Sequence, residues 1–111
     1  MYATVRRYEG IDKVRAQEVT RKAGETLMPS LSKMPGFSGY YLIDAGEGVF
    51  TSISLFENSN QAHESTRMAA RWVREQKLES ALPNTPTITA GPVVAHESPA
   101  TAVTNRVPAL G

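Results

Sequence analysis

MPGFSGYYLIDAGEGVFTSISLFEN, Met34 to Asn58, reads as two strands joined by a tight turn. In the first strand Phe37, Tyr41 and Ile43 share one phase of the alternation, and Tyr40 and Leu42 the other. In the second, Val49, Ile53 and Leu55 oppose Phe50 and Phe56. Asp44 to Gly48, DAGEG, supplies residues that accept positive φ between the two runs. An antiparallel hairpin follows, with apolar residues on both faces, so each face needs cover.

Working outward, Tyr2 to Tyr8 is rich in aromatic and β-branched residues and runs into Glu9-Gly10, the pattern of a strand and a turn. From about Asp12, Ala16, Val19, Ala23, Leu27, Leu31 and Met34 recur by threes and fours, which at about 100° per residue puts them on one helical face. Gly24 and Pro29 inside that pattern predict a bend or a restart near Met28. Pro35-Gly36 ends the helix. Beyond the hairpin, Asn58 and Gln61 resemble a capping box, and Ala62, Thr66, Ala69 and Val73 form a stripe that predicts a second helix through about Leu82. Pro83 to Pro86 breaks it. Thr87 to His96 has strand composition, with a bulge expected at Gly91-Pro92. The order β-α-β-β-α-β predicts an α+β, ferredoxin-like fold. Its four-stranded antiparallel sheet would carry both helices on one face, with the second and fourth strands at the edges. Residues 1–96 form this domain, and 97–111 are expected to be an extended or mobile tail.

The totals bound the function. A chain of 111 residues with a formal charge of +1 offers no basic footprint for nucleic acid and no reason to bind an acidic membrane. The absence of Cys removes thiolate chemistry and suits a cytoplasmic protein. No HExxH, no His-His-carboxylate spacing, no P-loop and no GxGxxG is found, so neither a metal nor a nucleotide cofactor is expected.

Pro35-Gly36-Phe37, the turn from Gly46 to Gly48, Phe56-Glu57 and a following helix with Trp72 near its middle together resemble the dimeric α+β-barrel superfamily, particularly the antibiotic biosynthesis monooxygenase-like group. The resemblance covers roughly Met1 to His96. It implies a homodimer in which two sheets close a barrel, with a ligand pocket in each protomer between sheet and helices. It also implies chemistry without metal or flavin, because an electron-rich phenolic substrate can itself reduce oxygen while the protein holds its anion and excludes water. The haem-degrading branch is not implied: three turns past Trp72 stands Leu82, and the first strand has no Asn.

Candidate ligand-binding residues are Trp72, Met68, Tyr40, Tyr41 and Arg7. Trp72 falls about 80° to the side of the helical stripe, beside Met68, where it either packs or lines a cleft. Tyr40 and Tyr41 take opposite faces of their strand, so one of them points toward the helices. Arg6 and Arg7 also oppose each other, and an inward guanidinium requires an anionic partner. His63 falls with Arg67 and Arg74 on the polar side of its helix and reads as solvated; His96 stands at the end of the last strand. No catalytic residue is identified. The residues suit a monooxygenase-like enzyme for an aromatic or polyketide-like substrate, and equally a noncatalytic ligand-binding or assembly module on the same scaffold.

Overall fold

The computed structural model describes residues 1–99. Strands β1 (Tyr2–Tyr8), β2 (Phe37–Gly46), β3 (Val49–Phe56) and β4 (Thr87–Pro92) form one antiparallel sheet in the order β2-β3-β1-β4. The chain therefore has the ferredoxin-like α+β architecture, with β2 and β4 at the edges. The expectation for the C-terminal tail falls, from residue 100 onward, outside the described residues.

The first helix begins with a turn of 3-10 helix at Lys13–Arg15, capped by the Asp12 side chain, and continues as α1 (Ala16–Lys22). A π turn at Ala23–Leu27 follows, and then α2 (Met28–Ser32). Val19, Ala23, Leu27 and Leu31 are all buried. Spacings of four drift by about 40° each on a regular α-helix, so three in succession would rotate the stripe off the core. The wider π turn absorbs that drift. It also sits just ahead of Pro29, whose ring would press on the carbonyl four residues back in an α-helix. The restart at Met28 is where the sequence places it.

The second helix, α3 (Ser59–Glu75), starts with a complete capping box between Asn58 and Gln61. It stops seven residues short of Leu82, the end expected from the apolar spacing. Lys77 adopts φ 58°, the Leu78 N–H donates to the Val73 carbonyl at 2.9 Å, and the Lys77 N–H to that of Arg74 at 3.1 Å. These are the two bonds of a Schellman motif, built here on a lysine where glycine is usual. Leu78 and Ala81 then bury themselves as a loop, not as helix.

Phe50, Ser52, Ser54 and Phe56 of β3 are buried on the helix side, while Val49, Thr51, Ile53 and Leu55 are half-buried on the other. The register puts Tyr2, Thr4, Arg6 and Tyr8 opposite the first set and Ala3, Val5 and Arg7 opposite the second. The β2 alternation is interrupted by a register shift between Phe37 and Gly39. That shift corrects the phase expected for Phe37, which packs edge-on against Phe56 at 5.7 Å on the helix side, while Tyr41 and Ile43 remain on the open face. The hairpin turn places Gly46, Glu47 and Gly48 at φ 81°, 55° and 75°.

Candidate functional site

Arg6 lies in the middle of β1, facing α3, and is only 3% exposed. Its Nη1 donates to Ser54 Oγ at 3.0 Å and its Nη2 to Thr66 Oγ1 at 2.6 Å. Nε is buried without a partner, and no carboxylate pairs with Arg6 among the described residues. Burial pulls this guanidinium's pKa below its ordinary value, against the opposing influence of the Tyr8 and Tyr40 phenols. Burial raises both phenols; for Tyr40 it outweighs the Ser52 hydroxyl and Arg6, which act the other way. The cluster is thus a lone buried cation among neutral hydroxyls.

Around it the helices and sheet leave a cavity of about 30 Å³ walled by Tyr8, Tyr40, Leu42, Phe50, Ala69 and Trp72, with Arg6 and Ser52 as polar lining. A wider cleft of about 400 Å³ adjoins it, sharing Arg6, Tyr8, Ala69, Val73 and Leu82. Its outer wall is Pro83, Asn84, Thr85, Pro86 and Ile88, with Glu79 as its one carboxylate lining residue among those described. Asn84 fastens this wall by donating to the Glu9 carbonyl at 3.1 Å. Arg15 holds the preceding loop through Ser80 and the Lys77 carbonyl.

The structure brings Trp72 and Tyr40 together at the inner cavity. Trp72 is 7% exposed, and its indole N–H donates at 2.7 Å to Thr26 Oγ1, which in turn donates to the Lys22 carbonyl. The π turn thereby fixes the indole. Met68, one turn earlier, packs against the core and lines neither space. Tyr41 is 55% exposed on the open face of the sheet. Arg7 shares that face and pairs with Glu9 at 2.7 Å, so the inward guanidinium is that of Arg6 and not Arg7. His63 is exposed on α3 with its ring edge-on to Tyr2, away from the cleft. Among the described residues no group of three or more His, Cys, Asp or Glu could hold a metal ion, and no helix is long and apolar enough to cross a membrane.

Tyr8, Ser52, Ser54, Thr66 and the 79–86 wall are not among the candidate site residues read from the sequence, although Thr66 lies on the predicted helical stripe and Pro83 to Pro86 mark the expected helix break. Only the phase of Phe50 and Phe56 could have pointed to the serines between them.

No protein-family model matches the sequence, and neither does any curated protein. Solved structures do match. A protein of unknown function from Nitrosomonas europaea is 17% identical with a TM-score of 0.71, over 89% of this chain and 94% of that one. An antibiotic biosynthesis monooxygenase is 16% identical with a TM-score of 0.67, over 86% of this chain and 100% of that one. A monooxygenase from Streptomyces coelicolor, in complex with the ligand nanaomycin D, is 13% identical with a TM-score of 0.66, over 89% and 92%. The fold is that of the antibiotic biosynthesis monooxygenase-like proteins. Within that fold the 30 Å³ cavity and its wider neighbour lie between the helices and the sheet, on the side opposite the uncovered face.

Proposed function

We propose that the chain is a small-molecule-binding homodimer whose helix-sheet cleft takes a flat aromatic or polyketide-like molecule and acts on it as a cofactor-independent monooxygenase. The observation that carries this reading is the cleft of about 400 Å³, a size within the ligand-pocket range, adjoining a cavity walled by Trp72, Tyr40 and the buried Arg6. Trp72 and Tyr40 supply aromatic walls, Arg6 takes the role expected of Arg7, Met68 supports the helix from outside the cleft, and Tyr41 belongs to the subunit interface. A phenol with a free para position would take one atom of O₂ as a new quinone carbonyl and release the other as water, so the reaction needs no external reductant. The protein's part is to orient the ring and exclude bulk water.

The homodimer is supported by the sheet's second face. Tyr41 and Ile43 are 55% and 44% exposed there, beside half-buried Val5, Ile53 and Leu55, and both helices lie on the other side. A second copy is the natural cover for so apolar a face. The lack of cysteine supports a reducing, cytoplasmic setting.

One observation favours the noncatalytic module instead: the inner cavity is mostly filled by its own side chains, leaving about 30 Å³. Titrating phenols, quinols and anthrone-like compounds against Trp72 fluorescence, with oxygen uptake in parallel, separates the readings. Binding with uptake is expected, binding without it would leave the module, and a monomer by light scattering at micromolar concentration would end the barrel.

A further inference from the structure

A charged side chain rarely stays fully buried unless something pairs with it. Arg6 has the cover of a core residue, yet its hydrogen bonds reach only two neutral hydroxyls, and Nε has none. The described fold supplies no counter-charge: Arg6 forms no ion pair, Tyr8 and Tyr40 stay protonated at neutral pH, and Glu79 is exposed on the cleft wall. The sequence from residue 100 onward contains no Asp or Glu. Arg6 also borders both spaces, the 30 Å³ cavity and the 400 Å³ cleft.

From this geometry we infer that Arg6 is the anchor for an anionic ligand: a flat molecule bearing an ionised oxygen conjugated to its ring, an aromatic carboxylate or a phenolate. Its oxygen meets the guanidinium and its ring lies in the wide cleft. The inference rests on the ligand cleft proposed above and adds to it the charge that the ligand must carry. The size of the inner space decides the class of anion. About 30 Å³ admits one or two water-sized groups, which suits an oxygen on a planar carbon and not a tetrahedral phosphate. Guanidinium chemistry agrees, since its planar fork of donors matches the two oxygens of a carboxylate. A phenolate would accept the same fork with one oxygen.

The test compares matched probes on the intact protein, read by Trp72 fluorescence and by thermal shift: 2-naphthoate against neutral 2-naphthamide, and 2-naphthol below and above its own ionisation. In the wild type the naphthoate should bind about 10- to 100-fold more tightly than the amide, the ratio expected for one charge-assisted contact. If the natural head is a phenolate, 2-naphthol should tighten as it ionises and surpass the naphthoate; if a carboxylate, the naphthoate should remain the tighter. Arg6→Met should bring the naphthoate-to-amide ratio close to one while retaining the amide. Equal wild-type affinity for acid and amide would overturn the anchor and leave the cleft standing. Failure of every naphthalene to bind would remove the cleft itself, and the anchor with it. The wild-type ratio decides the matter even if Arg6→Met does not fold.

Discussion

Replacing Arg6 with methionine should make the protein more stable. The guanidinium is 3% exposed, and the folded chain offers it two hydroxyls and no carboxylate. An ion so placed carries an effective desolvation penalty of several kcal/mol, and exchanging buried charges for apolar groups of similar volume has gained about 1–4 kcal/mol. Against that gain stand two hydrogen bonds, each worth about 1 kcal/mol net. Both hydroxyls lose their donor, but Thr66 still donates to the Ala62 carbonyl at 3.2 Å, so Ser54, 1% exposed, is the one whose only side-chain hydrogen bond among those described is lost. With no carboxylate offsetting the charge, the gain falls at the upper end of that range, about 3–4 kcal/mol, and the balance is a stabilisation of about 1–2 kcal/mol, or roughly 5–10 °C in Tm for a domain of this size. Urea and thermal unfolding at fixed protein concentration would measure it, with an unchanged m-value showing that the same surface unfolds. Destabilisation by about 2 kcal/mol or more would mean that the guanidinium is already neutralised in the folded protein. The anion anchor would then fail.

Other substitutions probe the surroundings. Tyr8 and Tyr40 are held protonated beyond the ordinary phenol value, so the unfolded chain binds fewer protons from about pH 10 upward. Stability should therefore be fully present below that value and fall as pH rises through the folded pKa, and Tyr40→Phe should flatten the fall in a Tm-against-pH series. Thr26→Val takes the acceptor from the Trp72 indole N–H and should cost about 1–2 kcal/mol in urea, with a shift in Trp72 emission. Lys77→Gly relieves a left-handed residue and should gain about 1 kcal/mol; no gain would mean that the Schellman turn is not limiting. Ile53→Asp, on the open face opposite Val5 and Tyr41, should convert the proposed dimer to monomer in light scattering, and a surviving dimer would place the interface elsewhere.

The hairpin was legible because its two strands carry large residues in opposite phases, and a period of two survives any error in register. Which phase meets the helices was not legible. Both faces of the sheet are apolar, so Val5 looks as core-like as its neighbours, and hydrophobicity could not choose between Arg6 and Arg7 or between Tyr40 and Tyr41. Pairing chose: Arg6 stands opposite Ser52, and Tyr40 opposite Ser54, between the buried Phe50 and Phe56. Phe37 lost its expected phase to a shift that depends on its partner strand and leaves no local signal. The helix that stopped at Glu75 ended on a lysine in a glycine's place, so spacing alone carried the prediction on to Leu82.

The cleft itself follows from the order of side-chain sizes along α3. Near its capped end the helix meets the sheet with Ala62 and Ser65, both fully buried, which permit close approach at Phe56. Toward its other end the inward residues become Trp72 and Val73, and Trp72 is tied to the π turn and not pressed onto the sheet. Between these two ends a wedge of space is left beside Ala69, a side chain too small to fill it. Opposite that wedge the sheet presents Ser52 and Arg6 where an ordinary core would place branched aliphatics. Small residues on the helix, hydroxyls and a lone cation on the strands, and a loop that bends away at Lys77 all act at the same end of the molecule. A fold selected only for stability would have filled that end.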